Sequence, residues 1–418
     1  MKNKKKIKKK IKKACKKSGS RESKFLDLKN IDKDTEAAIY YGFIPMETPK
    51  IEKEDKERVK NLKEGEALLI IGTNEKIEHL AEEKAVLLRN YFNTNLAIMP
   101  QPVMITYNGF IHDNTTSTHS GKHRKISLEI IGSEKSISEA ILIKTALAIL
   151  EDNNYQDLYV EINSIGDRES CSRFLRELTN HFRKNNHHMQ SHCRLAFKKD
   201  PFLALYCQNE KCLQLKDEAP KSIGCLSDES REHFKEVLEY LESLDIPYKI
   251  NNCLVSDRRY ASHTVFEIKQ KSNNPKIADE SLAVGFRSDL VCKKLGFKKD
   301  VPMIGIKMHF KTDSDKKQLP KIKKTSVFFI QLGDEAKHKS LKVIDILRKE
   351  NIYINHSLGR DKLGGQMATA ERLKVPYILI MGKKEAMDNT IMIRDVATRS
   401  QETIPISDLA QYLRKLVK

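Results

Sequence analysis

A charged segment that contains one proline, Asp313–Lys324, separates two parts of the chain whose apolar residues follow different patterns. After this segment, short apolar runs such as Val327–Leu332 alternate regularly with helical patterns such as Glu335–Glu350, which is typical of a compact α/β domain. Before it, strands and helices follow no strict alternation, which favours an antiparallel sheet combined with helices. The sequence therefore predicts an α+β protein: an antiparallel sheet domain followed by an α/β domain.

Composition and periodicity place the boundaries. We predict a disordered lysine-rich tail at residues 1–22, a first folded part at 23–320 with a Cys-containing insertion at about 168–226, and a second folded part at 325–418. The polar segment Ile111–Arg124 is expected to be a loop between two strands. Helices are expected at Thr35–Tyr41, Ala81–Asn90, Ile137–Leu150, Arg168–Phe182 and Ser227–Leu244, and strands at Pro102–Tyr107, Ile126–Ile131, Leu158–Ile162, Tyr248–Asn251, Thr264–Ile268 and Ser281–Gly285.

The chain is strongly basic. Its formal net charge is +19, and residues 1–17 contain 11 Lys and no acidic residue, so the remainder carries +8. This excess favours a polyanionic partner, with RNA as the leading candidate. Two alternatives for the tail stay open. It is either a solvated segment that keeps the protein soluble or, because Ile7 and Ile11 make it weakly amphipathic, a contact for an anionic membrane surface.

Other sequence features bear on the compartment. No apolar run is long enough to cross a membrane, and the basic start lacks the apolar stretch of a secretory signal. The eight Cys are scattered through a long chain, which favours reduced thiols over a disulfide framework. We therefore expect a cytoplasmic protein.

Several motifs of the second part occur in order and at the spacing of a known RNA-binding domain. They are Ser357–Arg360, Gln366–Leu373, Val375–Gly382 and Thr390–Asp395. From Ser326 onward the chain resembles the anticodon-binding domain that histidyl-, glycyl-, threonyl- and prolyl-tRNA synthetases share. The resemblance implies cations that face RNA, although each cation alone is equally typical of a solvated surface. The candidates are Arg360, Lys362, Arg372, Lys383, Lys384, Arg394 and Arg399.

The first part carries motifs of one member of that group. The matching segments are Tyr41–Pro49, Val160–Asp167, Asp200–Phe202, Leu226–Phe234 and Thr264–Glu267. They are similar to segments of histidyl-tRNA synthetases, and the resemblance runs from roughly Glu36 to the end. It implies a class II catalytic domain built on an antiparallel sheet. It also implies a homodimer formed through the region Tyr40–Pro49.

The departures from the family pattern fall on residues that hold ATP and histidine. The positions of two phosphate-binding Arg fall at Asp113 and near Thr312, although a guanidinium is the group that fits phosphate bidentately. Ser256 stands where the family has an Arg at the histidine carboxylate. Because such groups act together, losing several of them leaves little chemistry. We therefore predict no catalytic residue and no cofactor, with ATP and magnesium used only if the protein is an active enzyme.

Part of the substrate pocket is retained in the same comparison. Glu82 and Glu129 match acids that bind substrate in the family. Tyr260 keeps one of the two tyrosines of the family's histidine-recognition segment. Arg124 lies close enough in the sequence to Asp113 to compensate for the phosphate-binding Arg that the family has at that position. These four residues are the predicted substrate-binding remnant.

Cysteines of the insertion offer a second candidate site, for zinc. The thiolates would come from Cys193, Cys207, Cys212 and Cys225, and His192 is among three histidines nearby in the sequence. The spacing is not the tight pair of common zinc sites, and on spacing alone small buried or free thiols are the more frequent outcome.

Three functions are compatible with these observations. The first is a non-catalytic relative of histidyl-tRNA synthetases that binds tRNA or another structured RNA. The second is an active but divergent histidine–tRNA ligase. The third is a regulatory protein like the synthetase-like subunit that supports the first enzyme of histidine biosynthesis, and the anticodon-binding domain argues against it.

Overall fold

The computed structural model describes residues 25–26, 31–60, 77–111, 123–207, 209–312 and 326–416. The predicted tail at 1–22 lies outside these ranges. So do residues 112–122 of the predicted loop, Asp113 among them, and the linker residues 313–324.

The first folded part is built on one eight-stranded sheet. Its strands are β1 (Ile44–Pro45), β2 (Val103–Asn108), β3 (His123–Ile131), β4 (Leu158–Gly166), β5 (Tyr248–Ile250), β6 (Ser262–Gln270), β7 (Glu280–Arg287) and β8 (Met303–Lys311). Their order across the sheet is β1-β2-β3-β8-β7-β6-β4-β5. The six central strands are antiparallel to one another, and the short edge strands β1 and β5 pair in parallel. The predicted antiparallel sheet domain is therefore confirmed.

The second folded part contains a five-stranded sheet. Its strands are β9 (Val327–Gln331), β10 (Asn355–His356), β11 (Tyr377–Met381), β12 (Thr390–Asp395) and β13 (Gln401–Pro405). The order is β10-β9-β11-β12-β13. The first three strands in this order are parallel, and the last two are antiparallel to their neighbours.

Helices cover both sheets. They are α1 (Lys33–Tyr40), α2 (Lys53–Lys60), α3 (Ile77–Asn93), α4 (Ile137–Asp152), α5 (Arg168–Lys184), α6 (Ser191–Lys199), α7 (Pro201–Ala204), α8 (Glu210–Asp217), α9 (Asp228–Ser243), α10 (Val291–Lys294), α11 (Asp334–Lys349), α12 (Leu363–Leu373), α13 (Lys383–Asp388) and α14 (Leu409–Leu416). None of the helices in the described ranges is long and apolar enough to cross a membrane.

Local sequence explains where two of these helices begin. The Asp167 carboxylate accepts a hydrogen bond from the backbone N–H of Ser170 (2.8 Å), and the Ser227 hydroxyl accepts one from that of Ser230 (3.3 Å). Such caps satisfy backbone donors that the first helical turn leaves open, so α5 and α9 start at these residues. Helix α4 is buried along nearly its whole length, because it packs between the sheet and α9.

The two faces of the large sheet differ in chemistry. Successive residues of a strand point to opposite faces. In β3, Ile126, Leu128 and Ile130 lie in the apolar core that α4 and α9 complete. Ser127 and Glu129 point to the other face, which α3 covers. The polar face is therefore the one on which a site can be built.

Strand β3 begins earlier than predicted. It starts at His123 rather than Ile126, because His123 and Arg124 continue the ladder opposite Lys311 and Phe310. The prediction that Arg124 ends a loop is therefore wrong. Cross-strand pairing decides where a strand starts when the local sequence is polar.

The two folded parts contact each other through buried polar groups. The Tyr41 hydroxyl donates to the Asp345 carboxylate (2.8 Å), and the same carboxylate pairs with Lys144 (3.2 Å). Arg348 pairs with Asp152 at 2.8 Å. Tyr41 lies in the segment Tyr41–Pro49 of the first folded part, and Asp345 lies in α11 of the second. These contacts therefore anchor the second folded part on the first.

A histidine completes this contact. His356 Nε2 lies 3.2 Å from the Tyr40 carbonyl oxygen, and the ring packs against Gly42. A Cβ atom on Gly42 would come within 3.0 Å of the imidazole, and its φ is +93°, so glycine fits here for two reasons. Burial lowers the pKa of His356 to about 4, while the bond to the Tyr40 carbonyl acts in the opposite direction.

Candidate active site

An ion pair occupies the polar face of the large sheet. The Lys84 ammonium, from α3, lies 3.2 and 3.1 Å from the two oxygens of the Glu129 carboxylate. Both side chains are buried, with exposed fractions of 3% and 4%. Glu129 thus has its charge compensated inside the protein.

Gly305 makes room for this carboxylate. It lies directly opposite Glu129 in the β3–β8 ladder. A Cβ atom on Gly305 would come within 2.2 Å of the Glu129 carboxylate, which only glycine avoids. The carboxylate therefore rests on the backbone of β8 and points towards α3.

A second ion pair lies beside the first. Glu83, the neighbour of Lys84, pairs with Lys307, two residues beyond Gly305 on β8. Lys307 and Lys125 also approach the ring of Phe110, at 5.2 and 5.1 Å from its centre. Two consecutive residues of α3 therefore each neutralise a charge on the sheet beneath.

The other retained acid, Glu82, does not join Lys84. Residues two apart on a helix point about 200° away from each other, so Glu82 projects from nearly the opposite side of α3. It is half-buried, whereas Glu83 and Lys84 are fully buried. Of the predicted substrate-binding remnant, Glu129 alone is held by the Lys84 ion pair.

The segment that resembles the histidine-recognition motif carries its own internal pairs. Arg259 binds Asp257 at 2.5 Å and lies 5.4 Å from the ring centre of Tyr260. Tyr260 is buried, whereas Ser256, at the position of the family's Arg, is half-buried and uncharged. A neutral hydroxyl at that position cannot supply the charge that a substrate carboxylate requires.

Arg124 and Thr312 lie on the opposite face from Glu129. Arg124 is five positions before Glu129 on β3, and its guanidinium binds Asp32 (2.6 Å) and Asp34 (2.9 Å). Although burial acts in the opposite direction, Arg124 lowers the pKa of Asp32. The structure therefore does not bring Arg124 together with Glu129.

Thr312 joins the same polar cluster through Asn153. Its hydroxyl donates to the Asn153 side-chain oxygen (3.0 Å), and the Asn153 amide donates to Asp34 (2.8 Å). Asn153 caps α4, which covers the face away from Glu129. The structure thus brings together Thr312 and Arg124, two residues that the sequence connected with phosphate binding, at a site away from the candidate pocket.

The described residues do not fit the phosphate-binding arrangement that the resemblance implies. Thr312 is neutral, and Arg124 is bound to two carboxylates. Lys307 does lie on the pocket face, but it is paired with Glu83, and a lysine lacks the planar fork of an arginine. These three residues therefore do not form a site for the phosphates of ATP.

Three cysteines and one histidine of the insertion lie together. Cys193 Sγ is 2.6 Å from Cys207 Sγ and 3.4 Å from Cys212 Sγ. Cys207 Sγ is 3.6 Å from His192 Nε2. Cys225, the fourth predicted thiolate, instead contacts the Glu177 carboxylate at 3.3 Å. His192, Cys193 and Cys207 therefore form a compact group whose ligand atoms all lie within 4.8 Å of one another, and Cys212 adjoins this group through Cys193.

The predicted RNA-facing cations do not form one patch. Arg360 and Arg372 line one groove of about 280 Å³ between the two folded parts. Lys383 and Lys384 begin α13, directly after the carboxyl end of β11. The register of the β11–β12 ladder puts Arg394 opposite Ile378, towards the other end, and Arg399 lies beyond β12 at that same end. Lys362 precedes α12 and is exposed.

Sequence comparisons identify the relatives. Residues 326–416 match the family model of an anticodon binding domain. The chain is 28% identical over 341 residues to the histidine–tRNA ligase of Bacillus subtilis, covering 80% of both chains. It is also 28% identical over 344 residues to that of Halothermothrix orenii, covering 80% of this chain and 81% of the relative. These matches support the histidyl-tRNA synthetase family as the family of this chain.

Solved structures with similar folds include members of this family. An apo histidyl-tRNA synthetase from S. aureus matches with a TM-score of 0.49 and 23% identity, covering 90% of this chain and 93% of that one. An ATP phosphoribosyltransferase regulatory subunit/histidyl-tRNA synthetase from Bacillus halodurans matches with a TM-score of 0.43 and 14% identity, covering 84% and 90%.

Sequence reasoning missed Lys84 and Glu83, the residues that pair with Glu129 and Lys307. Lys84 and Glu83 are charged residues in a helix whose neighbours Ala81, Ala85 and Val86 are buried core residues. A charge on an apolar helix face is the signal that could have found them, because a buried charge needs a partner.

Proposed function

We propose that this member of the histidyl-tRNA synthetase family binds tRNA or another structured RNA in the cytoplasm and does not form histidyl adenylate. The observation that carries the proposal is the buried Lys84–Glu129 ion pair. It lies where the resemblance implies the amino-acid pocket.

Histidine would have to displace this internal ligand. Glu129 is one of the acids expected to bind substrate, and both of its oxygens accept hydrogen bonds from Lys84. Removing one partner from a buried ion pair costs about 3–5 kcal/mol, because the other charge is left without compensation. The α-ammonium group of histidine is the same kind of donor as the Lys84 ammonium, so it would have to compete with a partner that is already in place.

The remaining chemistry is also weakened. Each donor lost from a preorganised transition-state site costs roughly 10²–10³ in rate, and donors that act as a unit leave little when several are missing. Ser256 and Thr312 stand at two positions where the family is expected to have Arg. These substitutions support the loss of adenylate formation.

The match to an anticodon binding domain supports RNA binding. The relatives are histidine–tRNA ligases, and the match to the anticodon binding domain extends over residues 326–416. In this domain, Lys362, Arg372, Lys384 and Arg399 are exposed and form no ion pair with a described residue. Exposed cations of this kind bind phosphates with an affinity that falls as the salt concentration rises.

Two assays on the full chain test the proposal. Pyrophosphate exchange into ATP, measured with and without histidine, is expected to give no histidine-dependent signal. Filter binding with a histidine tRNA is expected to give saturable binding that weakens as salt rises. Histidine-dependent exchange would overturn the first half, and absence of RNA binding at low salt would overturn the second.

An active, divergent histidine–tRNA ligase is the second candidate. Its support is the 28% identity over 341 residues to a histidine–tRNA ligase. In that case ATP and magnesium would take part, and charging of histidine tRNA would accompany exchange. The same exchange assay separates the two candidates.

We also propose a homodimer, which rests on the family resemblance of the segment Tyr40–Pro49. Tyr41 and Phe43 are buried within the chain, whereas Glu47 is exposed. Light scattering is expected to give twice the 48.1 kDa of one chain. A single-chain mass at micromolar concentration would contradict the dimer.

A further inference from the structure

We propose that His192, Cys193, Cys207 and Cys212 form a binding site for one zinc ion in the insertion. The three sulfur atoms and the imidazole nitrogen are linked by separations of 2.6, 3.4 and 3.6 Å. This proposal is independent of whether the protein aminoacylates or binds RNA.

The donor set selects the metal. Thiolates together with an imidazole suit zinc, and three Cys with one His form a closed, four-coordinate structural site. With Zn–S near 2.3 Å and Zn–N near 2.0 Å, tetrahedral ligand atoms lie roughly 3.5–3.8 Å apart. The Cys193–Cys212 and Cys207–His192 separations match this range closely. Binding would open the Cys193–Cys207 pair by about 1 Å. It would also draw Cys212 towards His192 and Cys207, since its sulfur lies outside the group of ligand atoms that are all within 4.8 Å of one another.

Neighbouring groups stabilise thiolates at this place. The backbone N–H of Asn209 donates to Cys207 Sγ (3.4 Å), and the Lys216 ammonium donates to the Cys207 carbonyl (2.6 Å). Three thiolates with one Zn²⁺ carry a net charge of −1, which the Lys216 ammonium compensates.

The ligands come from three separate pieces of the insertion. His192 and Cys193 lie in the first turn of α6, Cys207 follows α7, and Cys212 lies in α8. These helices are short, at 9, 4 and 8 residues, and helices of this length are marginal on their own. A metal ion that joins the three helices would stabilise their folded arrangement beyond what their own hydrogen bonds provide.

A disulfide is the competing outcome for two of these thiols. Joining Cys193 to Cys207 would bring the sulfur atoms to about 2.0 Å and leave Cys212 with no partner in the bond. It would also remove two of the three thiolates from a metal. Cys212 Sγ lies 3.4 Å from Cys193 Sγ, and His192 Nε2 lies 3.6 Å from Cys207 Sγ. These two neighbours favour the metal, because a Cys193–Cys207 disulfide would bind neither of them.

The test is metal analysis of the full chain, purified under reducing conditions without chelator. About one zinc per chain is expected. Replacement of zinc by Co²⁺ should produce near-ultraviolet sulfur-to-cobalt charge-transfer bands together with the visible d–d bands of a tetrahedral site. Cys207→Ser and Cys212→Ser are expected to lose the metal, whereas Cys225→Ser, which removes a buried thiol bound to Glu177, should retain it.

His192→Gln keeps the test valid if the cysteine variants fail to fold, because His192 is exposed. This variant should fold and lose zinc to a competing chelator at least about 10-fold faster than the unmodified chain, since one of four ligands is gone. The proposal is overturned if the reduced protein binds no zinc after addition of one equivalent. It is also overturned if intact mass shows a Cys193–Cys207 disulfide in place of the metal, or if the Cys207 and Cys212 variants retain zinc as Cys225→Ser does.

Discussion

The polar face of the large sheet and the surface of the anticodon-binding domain both carry cations, but the cations differ in their surroundings. Those on the sheet are buried in ion pairs, and several of those on the anticodon-binding domain are exposed. On the sheet, Lys84 and Lys307 are each paired with a buried glutamate. On the anticodon-binding domain, Lys384 and Arg399 face solvent without an ion pair to any described residue. A neutralised cation serves the fold, whereas an unpaired one is available to a polyanion. The contrast separates structural charges from charges that can recognise RNA.

The largest effect is expected from breaking a pocket pair. Lys84→Met leaves the Glu129 carboxylate buried and uncompensated, so the free energy of unfolding should fall by about 3–5 kcal/mol. Urea denaturation followed by circular dichroism measures this change. The double variant Lys84→Met with Glu129→Leu should recover most of the loss, because it removes both charges. A single variant as stable as the unmodified chain would mean that the pair is not formed.

Charge reversal on the anticodon-binding domain should affect RNA binding rather than folding. Arg394→Glu is expected to weaken tRNA binding about 10-fold and to reduce the slope of log affinity against log salt by about 1. Lys276→Glu is the matched control, since it makes the same charge change on an exposed turn of the catalytic-type domain. Equal losses in both variants would show that only net charge matters.

The interface between the two folded parts should respond to acid. Because burial lowers the pKa of His356 to about 4, its unfolded form binds the proton first as pH falls below about 6.5. Stability is therefore complete above pH 6.5 and declines as pH falls towards 4. Burial also lowers the pKa of His263 to about 4, and this histidine contributes in the same range.

His356→Gln tests that assignment. The variant should show a shallower decline of unfolding free energy between pH 6.5 and 4, with the His263 contribution remaining. Urea titrations at several pH values provide the measurement. An unchanged slope would assign the whole acid response to residues other than His356.

The smallest effect is expected from truncating an unpaired surface cation. Arg399→Ala should change the free energy of unfolding by no more than about 0.5 kcal/mol, because exposed charges without partners contribute little. Thermal denaturation with tRNA absent measures it. A loss as large as that of Lys84→Met would remove the distinction between the two regions.

Much of the fold could be predicted from the sequence, because periodicity and capping residues are local. The helix at Ile137–Leu150 and the strand at Ile126–Ile131 lie within α4 and β3. The start of β3 at His123 could not be predicted, since it depends on pairing with Lys311, far along the chain. Local patterns define elements, and long-range pairing defines their limits.

The candidate sites were less accessible to sequence reasoning. Glu129 was identified through the family resemblance, but its partner Lys84 depends on how α3 crosses the sheet. Of the four predicted metal ligands, Cys193 and Cys207 lie together with His192, Cys212 adjoins them through Cys193, and Cys225 contacts Glu177 instead. Such contacts depend on the packing of helices that the sequence leaves undefined. The spacing of the cysteines in the sequence therefore indicates candidate metal ligands but does not show which of them lie together.

The two adjacent ion pairs of α3 also bear on how such a protein can change. Freeing Glu129 and Lys307 from their partners requires the removal of both Lys84 and Glu83. Each single substitution along the way leaves a buried charge alone, at a cost of about 3–5 kcal/mol out of a total stability of about 5–15 kcal/mol. A single substitution at one of these positions therefore removes a large share of the stability, whereas a double substitution that removes both charges of a pair does not.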